Sequence, residues 1–176
     1  MAMQSPRKRW VFTLAGSNPV SSAERRLKNM KKTNKKLSAG GIVFKKKGRE
    51  VYWLIVKPKK SKKWCLPKGY LSGAESTVAA AKREVREEAG IENQLLEKVG
   101  EKKDFFYQDK QKIPETVVFY LMEYLADTEE SFNGETDKIV WLPLKKALTR
   151  LAFDKEKELL KEAVDLLKQL EKQQKE

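Results

Sequence analysis

The stretch that decides the fold runs over residues 69–91 and reads GYLSGAESTVAAAKREVREEAGI. Its alanine-rich middle predicts a helix over Glu75–Ala89. Glu84 precedes Glu87 and Glu88 by three and four residues, so the three carboxylates share one face of that helix. Such carboxylates repel one another, and a hard divalent cation would relieve the repulsion. A solvated, charged helix face has the same pattern, so the spacing alone leaves both readings open.

The complete motif narrows this choice. It has the form G-x5-E-x7-R-E-U-x-E-E-x-G-U, where U is a bulky aliphatic residue, from Gly69 to Ile91. With this motif the chain resembles the Nudix hydrolases over residues 37–150. The resemblance implies an α/β fold, a Nudix-type α/β/α sandwich around a mixed β-sheet, here followed by an amphipathic C-terminal helix. It also implies metal-dependent hydrolysis of a nucleoside diphosphate linked to another moiety, with Mg²⁺ or Mn²⁺ as cofactor.

The resemblance assigns roles to residues of the motif. Glu84, Glu87 and Glu88 match the metal-binding glutamates of the family. The Gly69 carbonyl is a further candidate ligand, and glycine there lets the backbone bend. Arg83 matches the arginine that orients the carboxylates, and we expect it to act in catalysis together with Glu87 and Glu88.

Composition restricts the rest of the chemistry. Among 176 residues the chain has one Cys and no His, which excludes a disulfide framework, Cys-rich zinc sites and His-dependent nucleophiles. Catalysis must therefore run on carboxylates, lysines and a hard metal ion. In the mechanism that the resemblance implies, a carboxylate accepts the proton of an attacking water. Glu88 is one candidate for this general base. Glu135, six residues before Trp141, is the other, because it resembles a late glutamate of the family.

Residues outside the motif bear on the substrate. The stretch 64–69, WCLPKG, resembles the W-x-x-P-K-G of diadenosine and diphosphoinositol polyphosphate hydrolases. Lys68 is then an expected phosphate contact, and Lys57 begins a lysine-rich stretch that could steer an anionic substrate. Tyr107 resembles the family tyrosine that stacks on adenine. Strand alternation should turn Phe106 the other way, toward the core.

These features favour asymmetric cleavage of diadenosine tetraphosphate into ATP and AMP. One alternative is pyrophosphate removal from RNA 5′ ends, from an oxidised nucleoside triphosphate or from a diphosphoinositol polyphosphate. Another is a non-catalytic module that only binds nucleotide or a protein partner, which the complete set of acids in the motif disfavours. The sequence does not define the oligomeric state.

Charge and hydrophobicity divide the chain. The net charge is +13, and residues 1–36 hold ten basic residues against the single acid Glu24. We expect 1–36 to be a basic extension that binds RNA or is merely solvated, and 37–176 to be the Nudix domain. No apolar run approaches the roughly 20 residues that cross a bilayer, which favours a cytoplasmic protein without membrane contact.

Hydrophobic periodicity predicts the elements around the motif. Residues 68–74 should form a loop, and Asp109–Lys112 should be turn-like. The expected strands are Ser38–Lys45, Val51–Val56, Leu95–Tyr107, Thr116–Tyr124 and Lys138–Leu142, with a short extended piece at Trp64–Leu66. The expected later helices are Leu144–Leu151 and Asp154–Lys172.

Overall fold

A computed structural model describes residues 36–128 and 134–174, which form a mixed β-sheet with helices on both faces. The strands are β1 Lys36–Lys47, β2 Glu50–Pro58, β3 Lys68–Tyr70, β4 Ile91–Gln108, β5 Gln111–Asp127 and β6 Thr136–Pro143. The helices are α1 Thr77–Ala89, α2 Leu144–Arg150 and α3 Asp154–Gln173. The predicted α/β sandwich with a C-terminal helix is confirmed. Of the predicted basic extension only Lys36 is described.

The central strand β1 pairs with three other strands of the sheet. Its order is β4-β5-β1-β2-β6, with β1 parallel to β5 and the other pairs antiparallel. The first half of β1 pairs with β3, through Ser38↔Tyr70, and the second half pairs with β2, through Phe44↔Trp53. One edge of β1 therefore pairs with β3 over its first half and with β2 over its second half. The chain between β2 and β3 must leave the sheet where the two halves meet.

Two apolar layers hold the helices against the sheet. On one face, Leu159, Leu160 and Leu167 of α3 are buried against side chains of β1 and β5, as the predicted stripe requires. On the other face, α1 buries Ala80 and Val85, whose small size allows close approach to the strands. No helix in the described part of the chain is long and apolar enough to cross a membrane.

The β4–β5 hairpin is longer than the sequence predicts. Its turn consists of Asp109 and Lys110, whose φ values of 49° and 62° suit a two-residue hairpin turn. Pairing extends from this turn back to Ile91 and on to Asp127. Three register shifts in β4 interrupt the alternation of apolar residues, so periodicity alone could not show the full strand.

The segment before α1 also differs from expectation. At Trp64–Leu66 only a single bridge forms, between Cys65 and Val56. Regular pairing begins at Lys68, inside the expected loop, because Lys68–Tyr70 hydrogen-bonds along β1 as β3. The three-residue strand is too short for periodicity to predict.

Candidate active site

Helix α1 presents the acidic motif between two well-defined caps. Ser76 has an extended backbone, and its hydroxyl oxygen accepts a hydrogen bond from the Ala79 N–H at 3.1 Å. The helix therefore begins at Thr77, two residues after the predicted start. It ends at Gly90, whose φ of 66° is left-handed and whose N–H donates to the Arg86 carbonyl at 2.8 Å.

Arg83 connects the carboxylates of the motif. Its Nε and Nη2 donate to the two oxygens of Glu75 at 3.0 and 2.9 Å. Its Nη1 donates to Glu84 Oε1 at 2.7 Å and to Glu87 Oε2 at 3.1 Å, and Nη2 also reaches the Tyr70 carbonyl at 2.9 Å. Hydrogen bonds to Glu75 raise the pKa of Arg83, and Arg83 lowers the pKa of Glu75. The bidentate pair fixes the guanidinium where it can orient Glu84 and Glu87.

Two glutamates of the motif are buried. Glu84 is 9% exposed and Glu88 8%. Burial raises the pKa of Glu84, and it raises the pKa of Glu88 to about 7. The Lys68 N–H, which donates to Glu88 Oε2 at 3.0 Å, opposes this rise, whereas the nearby charges of Glu84 and Glu135 add to it. Glu88 can therefore exchange a proton near neutral pH.

The motif opens into a cleft of about 340 Å³ beside β3. It is lined by Ser38, Lys68, Gly69, Tyr70, Glu84, Glu87, Glu115 and Glu135. Gly69 acts here through its missing side chain rather than through a bend, because a Cβ at this position would overlap the Glu84 carboxylate. The cleft thus brings Lys68 and Gly69 together with Glu84, Glu87 and Glu135. Glu88 does not line it but accepts the N–H of Lys68.

Glu115 and Ser38 lie in this cleft although the sequence analysis did not select them. The Ser38 hydroxyl donates to Glu115 Oε1 at 2.6 Å, and the Lys68 ammonium lies 3.8 Å from the same oxygen. Residues 38 and 115 are 77 positions apart, and the parallel pairing of β1 with β5 brings them together. Their only sequence signal is a polar residue at the start of each apolar strand.

Two predicted substrate contacts lie away from the lining of the cleft. The Lys57 ammonium pairs with Asp137 at 2.6 Å and lowers the pKa of that carboxyl. Tyr107 is 68% exposed and packs edge-on against Phe105, with ring centroids 5.8 Å apart. Phe106 points to the opposite face, as expected. Its ring packs against that of Tyr70, with centroids 6.2 Å apart, instead of joining the core.

The residues of the cleft fit a hard cation by their chemistry. Within residues 36–128 and 134–174, no three acidic or cysteine side chains are arranged to hold a metal ion as they stand. Arg83 bonds to one oxygen each of Glu84 and Glu87. The donors are nevertheless carboxylates and a main-chain carbonyl, which Mg²⁺ and Mn²⁺ prefer. Burial disfavours the ionised forms of Glu84 and Glu88, and a bound dication would stabilise them.

The sequence profile of the NUDIX domain matches residues 34–163. The chain belongs to the Nudix family. Nudix hydrolases are pyrophosphohydrolases that typically use a divalent metal. The matched residues include every residue assigned above to the cleft.

Curated relatives of this chain carry names for different activities. A Mycobacterium tuberculosis protein named as mutator protein MutT4 is 32% identical over 108 residues, 61% of this chain and 44% of that protein. The asymmetrical bis(5′-nucleosyl)-tetraphosphatase of Rattus norvegicus is 33% identical over 106 residues, 59% of this chain and 71% of that enzyme. The 8-oxo-(d)GTP phosphatase of Mycolicibacterium smegmatis is 32% identical over 101 residues, 57% of this chain and 30% of that protein. The chain thus spans less than half the length of both mycobacterial relatives.

Solved structures agree on the Nudix fold. The Ap4A hydrolase of C. elegans in its binary complex superposes with a TM-score of 0.61. The match covers 75% of this chain and 97% of that chain at 21% sequence identity. At this identity the likeness shows the fold alone.

Proposed function

We propose that this chain is a metal-dependent pyrophosphohydrolase that splits diadenosine tetraphosphate unequally, into ATP and AMP. The observation that carries the proposal is the cleft, in which acids of α1 stand beside Lys68. Acids suit a cation and lysine suits a polyphosphate, so the cleft matches both parts of the reaction. The 33% identity to the rat asymmetrical tetraphosphatase supports this choice of substrate.

Glu84, Glu87 and Glu88, with the Gly69 carbonyl, would hold the Mg²⁺ or Mn²⁺. When bound, the ion neutralises phosphate oxygens and lowers the pKa of a bound water. Arg83 keeps Glu84 and Glu87 turned toward the cleft through its two Nη1 contacts. Glu75, which takes two hydrogen bonds from Arg83, fixes that arginine from behind.

Two carboxylates can accept the proton of the attacking water. In the metal-free protein, burial raises the pKa of Glu88 to about 7, so this carboxyl group can change its protonation state near neutral pH. Glu135 lines the cleft from the segment that leads into β6. We favour Glu88, because its burial and its bond from the Lys68 N–H hold it in one place.

Lys68 is the proposed phosphate contact. Its ammonium lies 3.8 Å from Glu115 and 29% of the side chain is exposed, so it can turn to an incoming phosphate. The proposed roles of Tyr107 and Lys57 stay predictions that need contacts outside the cleft lining. The exposed ring of Tyr107 suits a second base at the far end of a long substrate.

A second candidate substrate is an oxidised nucleoside triphosphate. The 32% identity to the mycobacterial 8-oxo-(d)GTP phosphatase favours it, and a triphosphate would use the same acids and Lys68. The predicted RNA contact lies in the basic extension, of which the structure describes only Lys36.

Product analysis tests the proposal. The full chain is incubated with Mg²⁺ and, separately, with diadenosine tetraphosphate, 8-oxo-dGTP and 5′-triphosphorylated RNA, and the products are resolved by chromatography. We expect ATP and AMP from the dinucleotide. Two ADP would contradict the unequal cleavage. Faster release of pyrophosphate from either of the other compounds would favour that substrate, and turnover of none would favour a binding module.

A further inference from the structure

Glu115 is a buried carboxylate with bonding capacity left over. It is 8% exposed, and both of its polar contacts, from Ser38 and Lys68, are to Oε1. In the described part of the chain Oε2 takes part in neither contact, although Glu115 lines the cleft. An ionised carboxylate only accepts hydrogen bonds, and Oε2 belongs to a group that lines the cleft, so it can accept one from a molecule bound there. The position therefore suits a ligand that brings an O–H or N–H donor.

An aromatic pair stands next to this carboxylate. The rings of Tyr70 and Phe106 have centroids 6.2 Å apart and are tilted by 57°. The Lys36 ammonium lies 4.7 Å from both centroids. Tyr70 is 47% exposed, so these ring faces are covered by a flexible lysine rather than by the core. A flat base can displace that ammonium, stack on one of the two rings and contact the other at an angle.

Strand register sets the order of these groups. Gly40 pairs with Lys68 and Ser38 with Tyr70 between β1 and β3, whereas Lys36 pairs with Glu115 between β1 and β5. From Lys68 the register runs first to Ser38, with Tyr70 opposite it, and then to Lys36, with Glu115 opposite it. Ser38 and Glu115 thus lie beyond Lys68, with the Tyr70–Phe106 pair beside them. A nucleotide likewise extends from its phosphates to a ribose that carries the base.

We propose that Glu115, with Ser38, binds the ribose of a nucleoside whose base packs against Tyr70 and Phe106, and that Glu115 selects ribonucleotides over 2′-deoxyribonucleotides. The inference rests on the proposed function only in requiring a nucleotide substrate. A site built to bond a hydroxyl rejects the analogue that lacks it, because its own buried acceptor is then left unpaired.

Sugar discrimination tests this inference directly. For the full chain with Mg²⁺, kcat/KM is measured on diadenosine tetraphosphate and on its bis(2′-deoxy) counterpart. We expect wild type to prefer the ribose form by about tenfold or more, as one charged hydrogen bond allows. Glu115→Ala should lower kcat/KM on the ribose form by that factor and change it little on the deoxy form. Glu115→Gln should act in the same direction, since its amide nitrogen is a donor, and it preserves the shape of the site if the alanine variant folds poorly.

A matched control lies on the same strand. Glu123→Gln changes the same residue type on β5 outside the cleft, and its sugar preference should equal that of wild type. An equal fall on both sugars in Glu115→Ala would mean that Glu115 acts through Lys68, which overturns the inference. A changed preference between guanine and adenine at constant sugar preference would also overturn it, because Glu115 would then read the base. So would a wild type that does not distinguish the two sugars.

A binding arm separates this inference from the proposed function. Calorimetry compares α,β-methylene ATP with its 2′-deoxy counterpart, with wild type and with Glu115→Gln. We expect the same sugar preference of about tenfold in Kd, lost in the variant. If the preference appears without hydrolysis of any substrate, the inference stands and the proposed function fails. If hydrolysis occurs without the preference, the proposed function stands and the inference fails.

Discussion

Two buried glutamates hold the same short loop from opposite sides. Glu156 of α3 accepts the Leu66 N–H at 3.0 Å, and Glu88 of α1 accepts the Lys68 N–H at 3.0 Å. Only Pro67, which has no N–H to offer, lies between the two donors. Each carboxylate thus fixes the position of the loop by accepting one of its main-chain N–H groups.

Their charges are balanced very differently. Glu156 is fully buried and pairs with the Lys102 ammonium at 3.1 Å, which also lies 4.2 Å from the centre of the Phe153 ring. Glu88 has no such ion pair among the described residues, and the charges of Glu84 and Glu135 act against its ionised form. Glu156 therefore belongs to a buried ion pair that stabilises the fold. Glu88 is a buried carboxylate whose charge no ion pair in the described part of the chain balances, so it can bind a cation or a proton.

Activity is where the two glutamates should differ most. Glu88→Gln should lower kcat by about 10²-fold or more, because it removes a base and a metal ligand, and Glu87→Gln should do the same by removing a ligand. Steady-state kinetics on diadenosine tetraphosphate with Mg²⁺ measures the loss, while circular dichroism checks the fold. Glu123→Gln is the control and should keep wild-type kcat. Less than about threefold loss in both variants would remove these residues from the chemistry.

Stability should show the reverse order. Glu156→Gln removes the buried charged partner of the Lys102 ammonium and leaves, among the described residues, only the more exposed Asp104, 3.4 Å away. Removing one member of a buried pair costs about 3–5 kcal/mol, and Asp104 places the expected loss at the lower end of that range. Urea unfolding measures the loss in free energy of unfolding. A double variant with Glu156→Gln and Lys102→Met keeps a side-chain oxygen for the Leu66 N–H and should be more stable than Glu156→Gln, since no buried charge remains. Glu156→Gln with wild-type stability would show that the pair does not hold this loop.

The sequence was sufficient for the acidic motif because its members share one helix. Spacings of three and four residues fix their common face wherever α1 packs. The contact of Ser38 with Glu115 depends instead on how β1 and β5 pair, across 77 residues. The Glu156–Lys102 pair likewise depends on how α3 packs against β4, 54 residues away. Such partners follow from tertiary register, which local periodicity does not encode.

The aromatic predictions show the same limit. Alternation correctly separated Phe106 from Tyr107 on β4, since Phe105 contacts Tyr107 and Phe106 contacts Tyr70. It could not show which face of this hairpin end is covered. The sequence did not predict β3, which ends at Tyr70. On the side of β4 that was expected to face the core, Phe106 therefore contacts the ring of Tyr70 instead.

The pH dependence of stability sharpens the contrast further. Burial raises the pKa of Glu88 from 4.5 to about 7, so the metal-free folded state holds a proton that the unfolded chain has lost. This group therefore lowers the free energy of unfolding as pH rises from about 4.5 to about 7, by up to about 3 kcal/mol. Urea unfolding in chelator at pH 5 and 7.5 measures the change. Glu88→Gln should flatten the decline, and an equally steep decline in the variant would contradict this assignment.

Binding of Mn²⁺ tests most directly whether the carboxylate of Glu88 belongs to a cation site. Electron paramagnetic resonance of the free ion gives Kd for the full chain, for Glu87→Gln and Glu88→Gln, and for Glu123→Gln as control. We expect wild type and the control to bind equally, and both motif variants to bind at least about tenfold more weakly, because each loses a charged oxygen ligand. Equal affinity in all four proteins would contradict the account.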